Sequence, residues 1–360
     1  MIMEKKKLYP ILFKPETVER PWGSEVWTVA DMGVADSEIA NGWLSGNSMS
    51  DLMETYLERV VGENVYQFYG RQFPVLVKFA DICKPTPVSV HPDDSIAMER
   101  YDALGKAKLW YVTEASSDAK IYLGFKCDVT AQEFFDKCMD GSILELMNEF
   151  TPVKGQHILI EPGTVHATTG KLKLVCISEA SEVNFYPYNP YIAEGEEDTG
   201  MIHISEALDF INFKKYEFLS TDSSEVIAPL VDRPEFNVSR INLSDPLHIY
   251  TEKFGSFIVY ACAEGEASVQ VPVGDSGDKK MENYVLKCGE AMLIPAELPD
   301  FYLVPRDRNT ILLEVVTNPG EDVDEYIDPS TEPFLEGEDY GGLEDGEFDE
   351  DGYDDKSEEE

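Results

Sequence analysis

Short runs of apolar, β-branched and aromatic residues, bounded by Gly, Pro and Asp, follow one another along most of this chain. A first set comprises residues 75–80, 109–113, 120–125, 157–160 and 172–177. A second set, between residues 236 and 316, includes 256–260, 267–271, 291–294 and 310–316. Because this composition and this punctuation are typical of β-strands, the pattern predicts a mainly β protein with two groups of strands.

Helical periodicity interrupts the first group of strands. Segments 50–59 and 94–103 each begin with a polar residue that can cap a helix. Residues 130–150 form the longest predicted helix, with apolar residues at helical spacing throughout, and a further helical segment covers 205–210. We therefore expect the helices to form an insert in the first half of the chain.

One sequence pattern occurs in both groups of strands. Residues 155–166 read Gly-Gln-His-Ile-Leu-Ile-Glu-Pro-Gly-Thr-Val-His, and residues 289–296 read Gly-Glu-Ala-Met-Leu-Ile-Pro-Ala. Each is a Gly turn, an apolar strand and a Pro-bearing corner, which indicates two similar β-barrels. We assign the first barrel, with the helical insert and the candidate site, to residues 8–215 and the second barrel to residues 216–320.

The end of the chain has a different composition. Residues 336–360 contain fourteen acidic residues and one Lys, so this segment contributes −13 to the net charge of −41. We expect the tail, residues 321–360, to be disordered, because it has too few aliphatic residues to offset the entropy lost on ordering. Tyr340, Phe348 and Tyr353 leave two interpretations open, a solvating tail without a partner and a docking segment for an unidentified protein.

Charge and motifs exclude several classes of function. The rest of the chain carries −28, which disfavours nucleic acid and membranes as partners. There is no Gly-x-Gly-x-x-Gly or Walker sequence, so we expect no nucleotide cofactor. The six cysteines are scattered and the start lacks the apolar run of a signal peptide, so we expect a cytoplasmic protein with reduced thiols.

Three motifs occur in order within the first group of strands. They are Ser89-Val-His-Pro-Asp-Asp, Gly105-Lys-Ala-Lys-Leu-Trp-Tyr-Val and Gly163-Thr-Val-His-Ala. They resemble the Gln-Val-His-Pro-Asp-Asp, Gly-Lys-Thr-Glu-x-Trp-Tyr and Gly-Thr-x-His motifs of the type I mannose-6-phosphate isomerase (phosphomannose isomerase) family. Weaker similarity extends over residues 8–318. The resemblance implies a double cupin, a pair of jelly-roll β-barrels, with a helical insert in the first half.

The resemblance also implies a reaction and a cofactor. Members of the family interconvert mannose 6-phosphate and fructose 6-phosphate, a step of carbohydrate metabolism in which a proton moves between C1 and C2. The family implies one zinc ion, which would stabilise the developing oxyanion and keep a coordination position open for the sugar. A sugar or sugar phosphate is accordingly the expected small-molecule ligand.

This chain departs from the family's pattern at positions that matter for catalysis. The two zinc histidines of the family are kept as His91 and His166, but its zinc-binding Gln is Ser89 here and its zinc-binding Glu is Lys108. A serine hydroxyl is a poor zinc ligand, and an ammonium group has no lone pair to donate. Tyr186 stands where the family has an active-site Arg.

The candidate catalytic residues are therefore Lys106, Lys108 and Tyr186. Lys106 matches an active-site lysine of the family, although a plain surface lysine is an open alternative. His91 and His166 also leave two interpretations open, a zinc site and a pocket that no longer holds metal. We hypothesise that the Lys108 ammonium lies near the position of zinc in relatives, where it would repel a divalent metal.

Three functions remain open from the sequence. The first is isomerisation of a hexose 6-phosphate at an altered or metal-free site. The second is non-catalytic binding of a carbohydrate or sugar phosphate by a pseudoenzyme, and the third is an interaction module that acts through the acidic tail. Ser89, Lys108 and Tyr186 favour the second function, whereas the family's association with isomerisation favours the first, so the sequence does not decide whether the chain is an enzyme.

Overall fold

Residues 6–191, 204–217, 225–274 and 280–319 are described by the computed structural model of the chain. Every ladder between the strands of this part is antiparallel, and the strands form two units of two facing sheets each. The prediction of a mainly β class is confirmed. A doubly wound parallel sheet, which would have contradicted this prediction, does not occur among the described strands.

The first unit contains a six-stranded and a five-stranded sheet. In spatial order the larger sheet consists of β11 (His157–Ile160), β8 (Lys108–Ala115), β13 (Leu172–Glu179), β6 (Val75–Ile82), β3 (Gly23–Val29) and β2 (Glu16–Arg20). The facing sheet consists of β10 (Met147–Phe150), β9 (Lys120–Phe125), β12 (His166–Thr169), β7 (Val88–Val90) and β14 (Phe185–Tyr188). Apolar side chains from both sheets, such as Ile82, Val112 and Leu123, fill the space between them.

The second unit contains a six-stranded and a four-stranded sheet. The larger sheet consists of β1 (Ile11–Leu12), β21 (Ala291–Ile294), β18 (Ile258–Glu264), β23 (Thr310–Val316), β16 (Asn237–Leu243) and β15 (Ile227–Asp232). The facing sheet consists of β17 (Leu247–Tyr250), β22 (Asp300–Pro305), β19 (Glu266–Val273) and β20 (Lys280–Lys287). A separate hairpin is formed by β4 (Asp31–Met32) and β5 (Ala35–Asp36).

The start of the chain pairs with the second unit. Ile11 of β1 is the register partner of Leu293 in β21, although the boundaries that we assigned from the sequence give this segment to the first barrel. No single boundary in the sequence therefore divides the two units, because the first strand of the chain belongs to the second one. The assigned tail, residues 321–360, lies outside the described residues.

The large sheets of the two units pack against each other through their outer faces. Side chains alternate along a strand, so Val75 and Val77 of β6 face this interface while Lys78 faces the interior of the first barrel. Across the interface the rings of Phe73 and Phe257 lie 4.6 Å apart, and both side chains are fully buried. Burial of side chains of this size contributes roughly 1.5–3 kcal/mol each, which makes the interface a main source of stability.

All six α-helices of the described residues follow β5 and precede β15, which places them within the segment assigned to the first barrel, although the last of them lies beyond the middle of the 360-residue chain. They are α1 (Met49–Tyr56), α2 (Glu58–Val61), α3 (Glu63–Tyr69), α4 (Asp94–Tyr101), α5 (Ala131–Met139) and α6 (Ile204–Ala207). Ser48 and Asp51 form a capping box at the start of α1, and Asp93 caps α4 through the N–H group of Ile96. None of the described helices is both long enough and apolar enough to cross a membrane.

The prediction of one helix over residues 130–150 is wrong in its second half. Helix α5 ends at Met139, a 3₁₀ turn follows at Ile143–Glu145, and Met147–Phe150 is strand β10. Gly141 has a φ of +76°, a left-handed conformation that ends helices. Of the apolar residues beyond it, Ile143 and Leu144 lie in the 3₁₀ turn and Met147 begins the strand.

Candidate functional site

The candidate site lies between the two sheets of the first barrel. Ser89 in β7 is the register partner of His166 in β12, and His91 follows β7 directly. Because paired residues share a face and side chains alternate along a strand, Ser89, His91 and His166 point to the same side. Lys108 begins β8 in the facing sheet. The structure thus brings together the four positions at which the family implies zinc ligands.

The amino group of Lys108 lies between the two imidazoles. Its Nζ is 2.9 Å from Nε2 of His91 and 3.4 Å from Nε2 of His166. On the far side of each ring, Nδ1 of His91 is 3.2 Å from the carbonyl oxygen of Val183, and Nδ1 of His166 is 2.9 Å from that of Thr164. Since a carbonyl oxygen can only accept, each Nδ1 carries the proton and each Nε2 directs its lone pair at Lys108.

Burial sets the protonation of these three groups. Both histidines are 2 % exposed, and burial together with the charge of Lys108 lowers the pKa of His91 and of His166 well below the usual range. Burial and then the charge of Lys78 lower the pKa of Lys108 to about 7. The charged and the neutral amine both have enough hydrogens to donate to the two Nε2 atoms, so these contacts do not depend on which form is present.

This set of residues does not fit the zinc ion that the family implies. Zinc is held by lone pairs of imidazole, thiolate or carboxylate groups, usually four in a closed site and three in a catalytic one. Here both imidazole lone pairs are taken by Lys108, and in the described part of the chain Lys108 has imidazoles rather than carboxylates as hydrogen-bond partners. The hydroxyl of Ser89 lies near the carbonyl of Pro87, at 3.5 Å. No complete ligand set remains.

Lys106 is a buried neighbour of this group. Only 5 % of it is exposed, and its Nζ donates to the carbonyl oxygen of Ser181 and lies 3.4 Å from Oδ1 of Asn184. Burial and the charge of Lys108 lower the pKa of Lys106 well below the usual range. Lys106 is therefore not a surface lysine, and its contacts tie the segment around Ser181 to the strand that carries Lys108.

An ion cluster that sequence reasoning missed lies beside the pocket. The carboxylate of Glu25 contacts Lys78, lies 3.1 Å from Arg20 and accepts a hydrogen bond from the indole of Trp27 at 3.2 Å. Burial alone would raise the pKa of Glu25, but Lys78 and Arg20 lower it to about 2. The sequence contains a signal for this cluster, since Lys78 interrupts an apolar run and Glu25 lies at an inward-facing position of β3.

Tyr186 faces this ion cluster. It lies in β14 and is partly buried, and burial raises the pKa of its hydroxyl while the charges of Lys78 and Arg20 oppose the shift. The phenol is therefore neutral, and it can donate a hydrogen bond where the family has the fixed positive charge of an Arg. The pocket as a whole offers amines and hydroxyls, which suit the oxygens of a sugar or a phosphate.

A cavity of about 570 Å³ lies next to the candidate site. It is lined by residues that include Tyr101, Leu104, Ser181, Val183 and Phe185. The backbone of Ser181 and Val183 separates this cavity from the lysine and histidine side chains, because their carbonyl oxygens bind Lys106 and His91. The same segment thus forms a wall of the cavity and a support of the candidate site.

The chain is similar in sequence to bacterial proteins that carry the name mannose-6-phosphate isomerase. None of the protein-family models matches the chain. The chain is 24% identical over 279 residues to the mannose-6-phosphate isomerase of Streptococcus mutans, a match that covers 75% of this chain and 82% of that protein. It is 26% identical over 234 residues to GmuF of Bacillus subtilis, which is named a probable mannose-6-phosphate isomerase, with 59% of this chain and 71% of that protein covered.

Solved structures resemble the chain over most of its length. The mannose 6-phosphate isomerase of Bacillus subtilis superposes with a TM-score of 0.72 at 22% identity and covers 85% of this chain and 99% of its own. A variant of phosphomannose isomerase from Salmonella typhimurium superposes with a TM-score of 0.68 at 15% identity, covering 86% and 99%. These likenesses confirm the prediction of a double-cupin fold.

Proposed function

We propose that this chain, a member of the mannose-6-phosphate isomerase family, binds sugar phosphates without a metal ion and does not carry out zinc-dependent isomerisation. The observation that supports this proposal most strongly is the position of Lys108. Its amino group donates hydrogen bonds to Nε2 of His91 and Nε2 of His166. These are the two positions at which this chain keeps the zinc-binding histidines of the family.

Zinc would have to displace this amino group before it could bind. The two hydrogen bonds from Lys108 would be lost, and a protonated Lys108 would then lie a few ångströms from a divalent cation. Two like charges in a pocket of low polarity cost several kcal/mol. With Ser89 in place of the amide ligand, little binding energy is available to offset that cost.

The same groups can hold a ligand that is rich in oxygen. The ammonium form of Lys108 keeps a third hydrogen beyond the two given to the imidazoles, so this ammonium, the phenol of Tyr186 and the hydroxyl of Ser89 can each donate a hydrogen bond to a sugar. Lys78 and Arg20 supply positive charge nearby for a phosphate, and lysine and arginine are the usual phosphate partners in proteins. The relatives are named after mannose 6-phosphate, a hexose phosphate. We therefore propose hexose phosphates as the ligands of this chain.

A second candidate function is isomerisation without metal. It is supported by the names of the curated relatives and by the presence of proton-carrying groups, Lys108 and two neutral imidazoles, in one pocket. Proton transfer between C1 and C2 needs a base and a group that stabilises an oxyanion. An amine polarises a carbonyl less than zinc does and offers no open coordination position, so turnover by this route would be slow.

Binding and turnover can be separated on the purified protein. Calorimetric titration with mannose 6-phosphate should show binding that persists in EDTA, and a coupled assay of fructose 6-phosphate formation should show no zinc-dependent rate. Lys108→Met should lower the affinity by about tenfold, the value of one charge-assisted hydrogen bond. Lys154→Met, at an exposed lysine paired with Glu264, is the matched control and should leave the affinity unchanged.

Two outcomes would contradict the proposal in different ways. Turnover that EDTA abolishes and zinc restores would show a zinc enzyme. Absence of binding by mannose 6-phosphate and by fructose 6-phosphate would remove the sugar-phosphate ligand. Turnover that persists in EDTA and is lost in Lys108→Met would support the second candidate function.

A further inference from the structure

Three carboxylates from both barrels meet outside the candidate site. Asp94 belongs to α4, Glu179 ends β13, and Glu235 precedes β16 of the second barrel. One carboxylate oxygen from each of the three lies within 4.8 Å of the other two. Residues that are distant in the sequence and on different barrels thus form one acidic cluster.

Glu179 is the deepest member of the cluster and has an unused oxygen. Only 2 % of the residue is exposed. Its Oε2 accepts a hydrogen bond from the backbone N–H group of Ala107, whereas its Oε1 receives none from a nitrogen or hydroxyl donor among the described residues, and the carboxyl group of Asp94 is its side-chain neighbour. Buried polar atoms are nearly always paired, and leaving one unpaired is costly. Two adjacent carboxylates repel each other unless a proton or a cation lies between them, so this oxygen points to a positively charged partner.

The positive side chain beside the cluster does not supply this partner. Arg233 donates to both carboxylate oxygens of Glu235 and also binds Glu161. Its charge is therefore shared between two carboxylates, and neither Glu179 nor Asp94 receives a hydrogen bond from it among the described contacts. Burial raises the pKa of Glu179 well above the usual range and raises that of Asp94 as well, so protons compete with any cation for these two groups.

The donor type and the spacing favour a calcium-sized cation. All three side chains offer oxygen, the donor that hard divalent cations prefer. Ca²⁺ binds oxygen at about 2.3–2.6 Å, so two of its ligands lie up to about 5 Å apart, whereas the ligands of Mg²⁺, at about 2.0–2.1 Å, lie no more than about 4.2 Å apart. Separations within 4.8 Å all fall in the range for ligands of Ca²⁺, whereas Mg²⁺ requires every pair to lie within about 4.2 Å and a nearly ideal octahedral arrangement.

We propose that Asp94, Glu179 and Glu235 bind a calcium-sized divalent cation that links the two barrels. The site would also act on the candidate sugar-phosphate pocket. Asp94 accepts a hydrogen bond from the N–H group of Gly105 at 2.7 Å, and Glu179 accepts one from Ala107. These two bonds hold the segment that carries Lys106 and leads into Lys108, so an occupied site fixes that segment in place.

Calcium titration of the full-length protein tests this proposal. At pH 7.5, CaCl₂ up to about 5 mM should raise the melting temperature with saturation, with a Kd on the order of 10⁻⁴ M, and MgCl₂ should bind at least tenfold more weakly. Glu179→Gln keeps an oxygen for Ala107 but removes the charge, and it should weaken calcium binding by at least tenfold. Glu235→Gln should do the same from the second barrel, so a folding defect in one variant does not leave the test undecided.

Glu264→Gln is the matched control, because Glu264 is a partly exposed carboxylate that pairs with Lys154 away from the cluster. It should bind calcium as the wild type does. An equal calcium-induced shift in wild type, Glu179→Gln and Glu235→Gln would place the binding elsewhere, in the acidic tail for example, and would overturn the proposal. No saturable shift in the wild type would overturn it as well and would indicate that protons alone neutralise the cluster.

Discussion

Lys108 places an amine where the resemblance to the family implies a carboxylate, and this changes what the pocket can bind. Its Nζ is within hydrogen-bond distance of Nε2 of both histidines. The backbone carbonyls of Val183 and Thr164 orient the two rings, as such acceptors do in metal sites. The backbone support that is typical of a metal site is therefore present, and an amine lies between the two imidazoles.

The pair of Glu25 and Lys78 gives a prediction at the scale of single residues. Glu25→Gln would leave the Lys78 ammonium without its charge partner in a partly buried place, and we expect the free energy of unfolding at pH 7 to fall by about 3 kcal/mol. Glu38→Gln, in the exposed pair with Lys14, is the control and should cost less than about 1 kcal/mol. Urea unfolding measures both.

The loss of stability caused by Glu25→Gln should become smaller as the pH falls. Because the pKa of Glu25 is lowered from 4.5 to about 2, its contribution is fully present above pH 4.5 and is lost as the pH falls through 2. The difference in stability between wild type and Glu25→Gln should therefore shrink between pH 5 and pH 2. A difference that stays constant over this range would show that the charge of Glu25 is not the cause.

Replacement of Asp31 should have the opposite effect and stabilise the protein at neutral pH. Burial raises its pKa from 3.8 to about 6, so the ionised form destabilises the folded protein, and the penalty develops as the pH rises from about 4 to 6. Asp31→Asn keeps an acceptor for the N–H group of Phe73, which Asp31 now binds at 2.8 Å. We expect a higher melting temperature at pH 7.5, equivalent to at most about 3 kcal/mol, and no gain at pH 4. A gain of equal size at both pH values would contradict this account.

At the scale of single residues, the sequence predicted which side chains of the candidate site lie together, but not the backbone groups that hold them. The motifs indicated that Ser89, His91, Lys108 and His166 belong together, because each could be matched to a position in the family's pattern. The carbonyls that fix the imidazoles could not be identified, since any residue supplies a carbonyl. Glu25 lies more than fifty positions from Lys78 in the sequence, and only the pairing of β3 with β6 brings them together.

At the scale of elements, the chain reaches β12, the strand that begins at His166, through a corner that only glycine fits. Gly163 has a φ of +76°, and a Cβ there would lie 2.6 Å from the carbonyl oxygen of Phe210. Its N–H group donates to the carbonyl of His91 at 2.7 Å. The corner therefore connects the two histidines of the pocket through the backbone.

Gly163→Ala should lower the free energy of unfolding by about 3 kcal/mol, since backbone strain and a contact with main-chain atoms add together. Gly289→Ala is the matched control, because Gly289 has a φ of +85° but no atom within 4 Å of an added Cβ. The control should cost about 1 kcal/mol for the conformation alone. Equal losses in the two variants, measured by urea unfolding, would show that the contact with Phe210 is unimportant.

The strands could be predicted from the sequence more reliably than the helices. Strands such as β6 and β13 are rich in β-branched and other apolar residues, a composition that favours strands over helices and loops. The segment after Met139 was assigned to a helix because its apolar spacing continued, and the Asp140-Gly141 pair that ends α5 was not recognised as a stop signal. Apolar spacing cannot distinguish a short strand from one more helical turn.

At the scale of the whole molecule, the two barrels share one large apolar interface and should unfold together. Phe257→Ala removes a fully buried ring that contacts Phe73 across the interface, and we expect a loss of about 3–5 kcal/mol. The wild type should show coincident transitions by fluorescence and by circular dichroism, whereas the variant should show separated ones.

Phe301→Ala, in the core of the second barrel, is the comparison for this prediction. It should cost a similar amount, but it leaves the contact with the first barrel in place. Its two probes should therefore report one transition. Separated transitions already in the wild type would contradict the view that the barrels form one cooperative unit. The pairing of β1 with the second barrel, which no local pattern revealed, adds to the coupling.

The central claim is that Lys108 takes the place of the metal, and the zinc affinity of the protein tests it most directly. The measurement is a zinc titration of wild type and of the double variant Ser89→Gln, Lys108→Glu, with the zinc content after purification determined on the same samples. We expect the wild type to purify with far less than one zinc per chain and the double variant to bind zinc at least about 100-fold more tightly. One equivalent of zinc in the wild type that is lost in His91→Ala, or no gain of affinity in the double variant, would contradict the account.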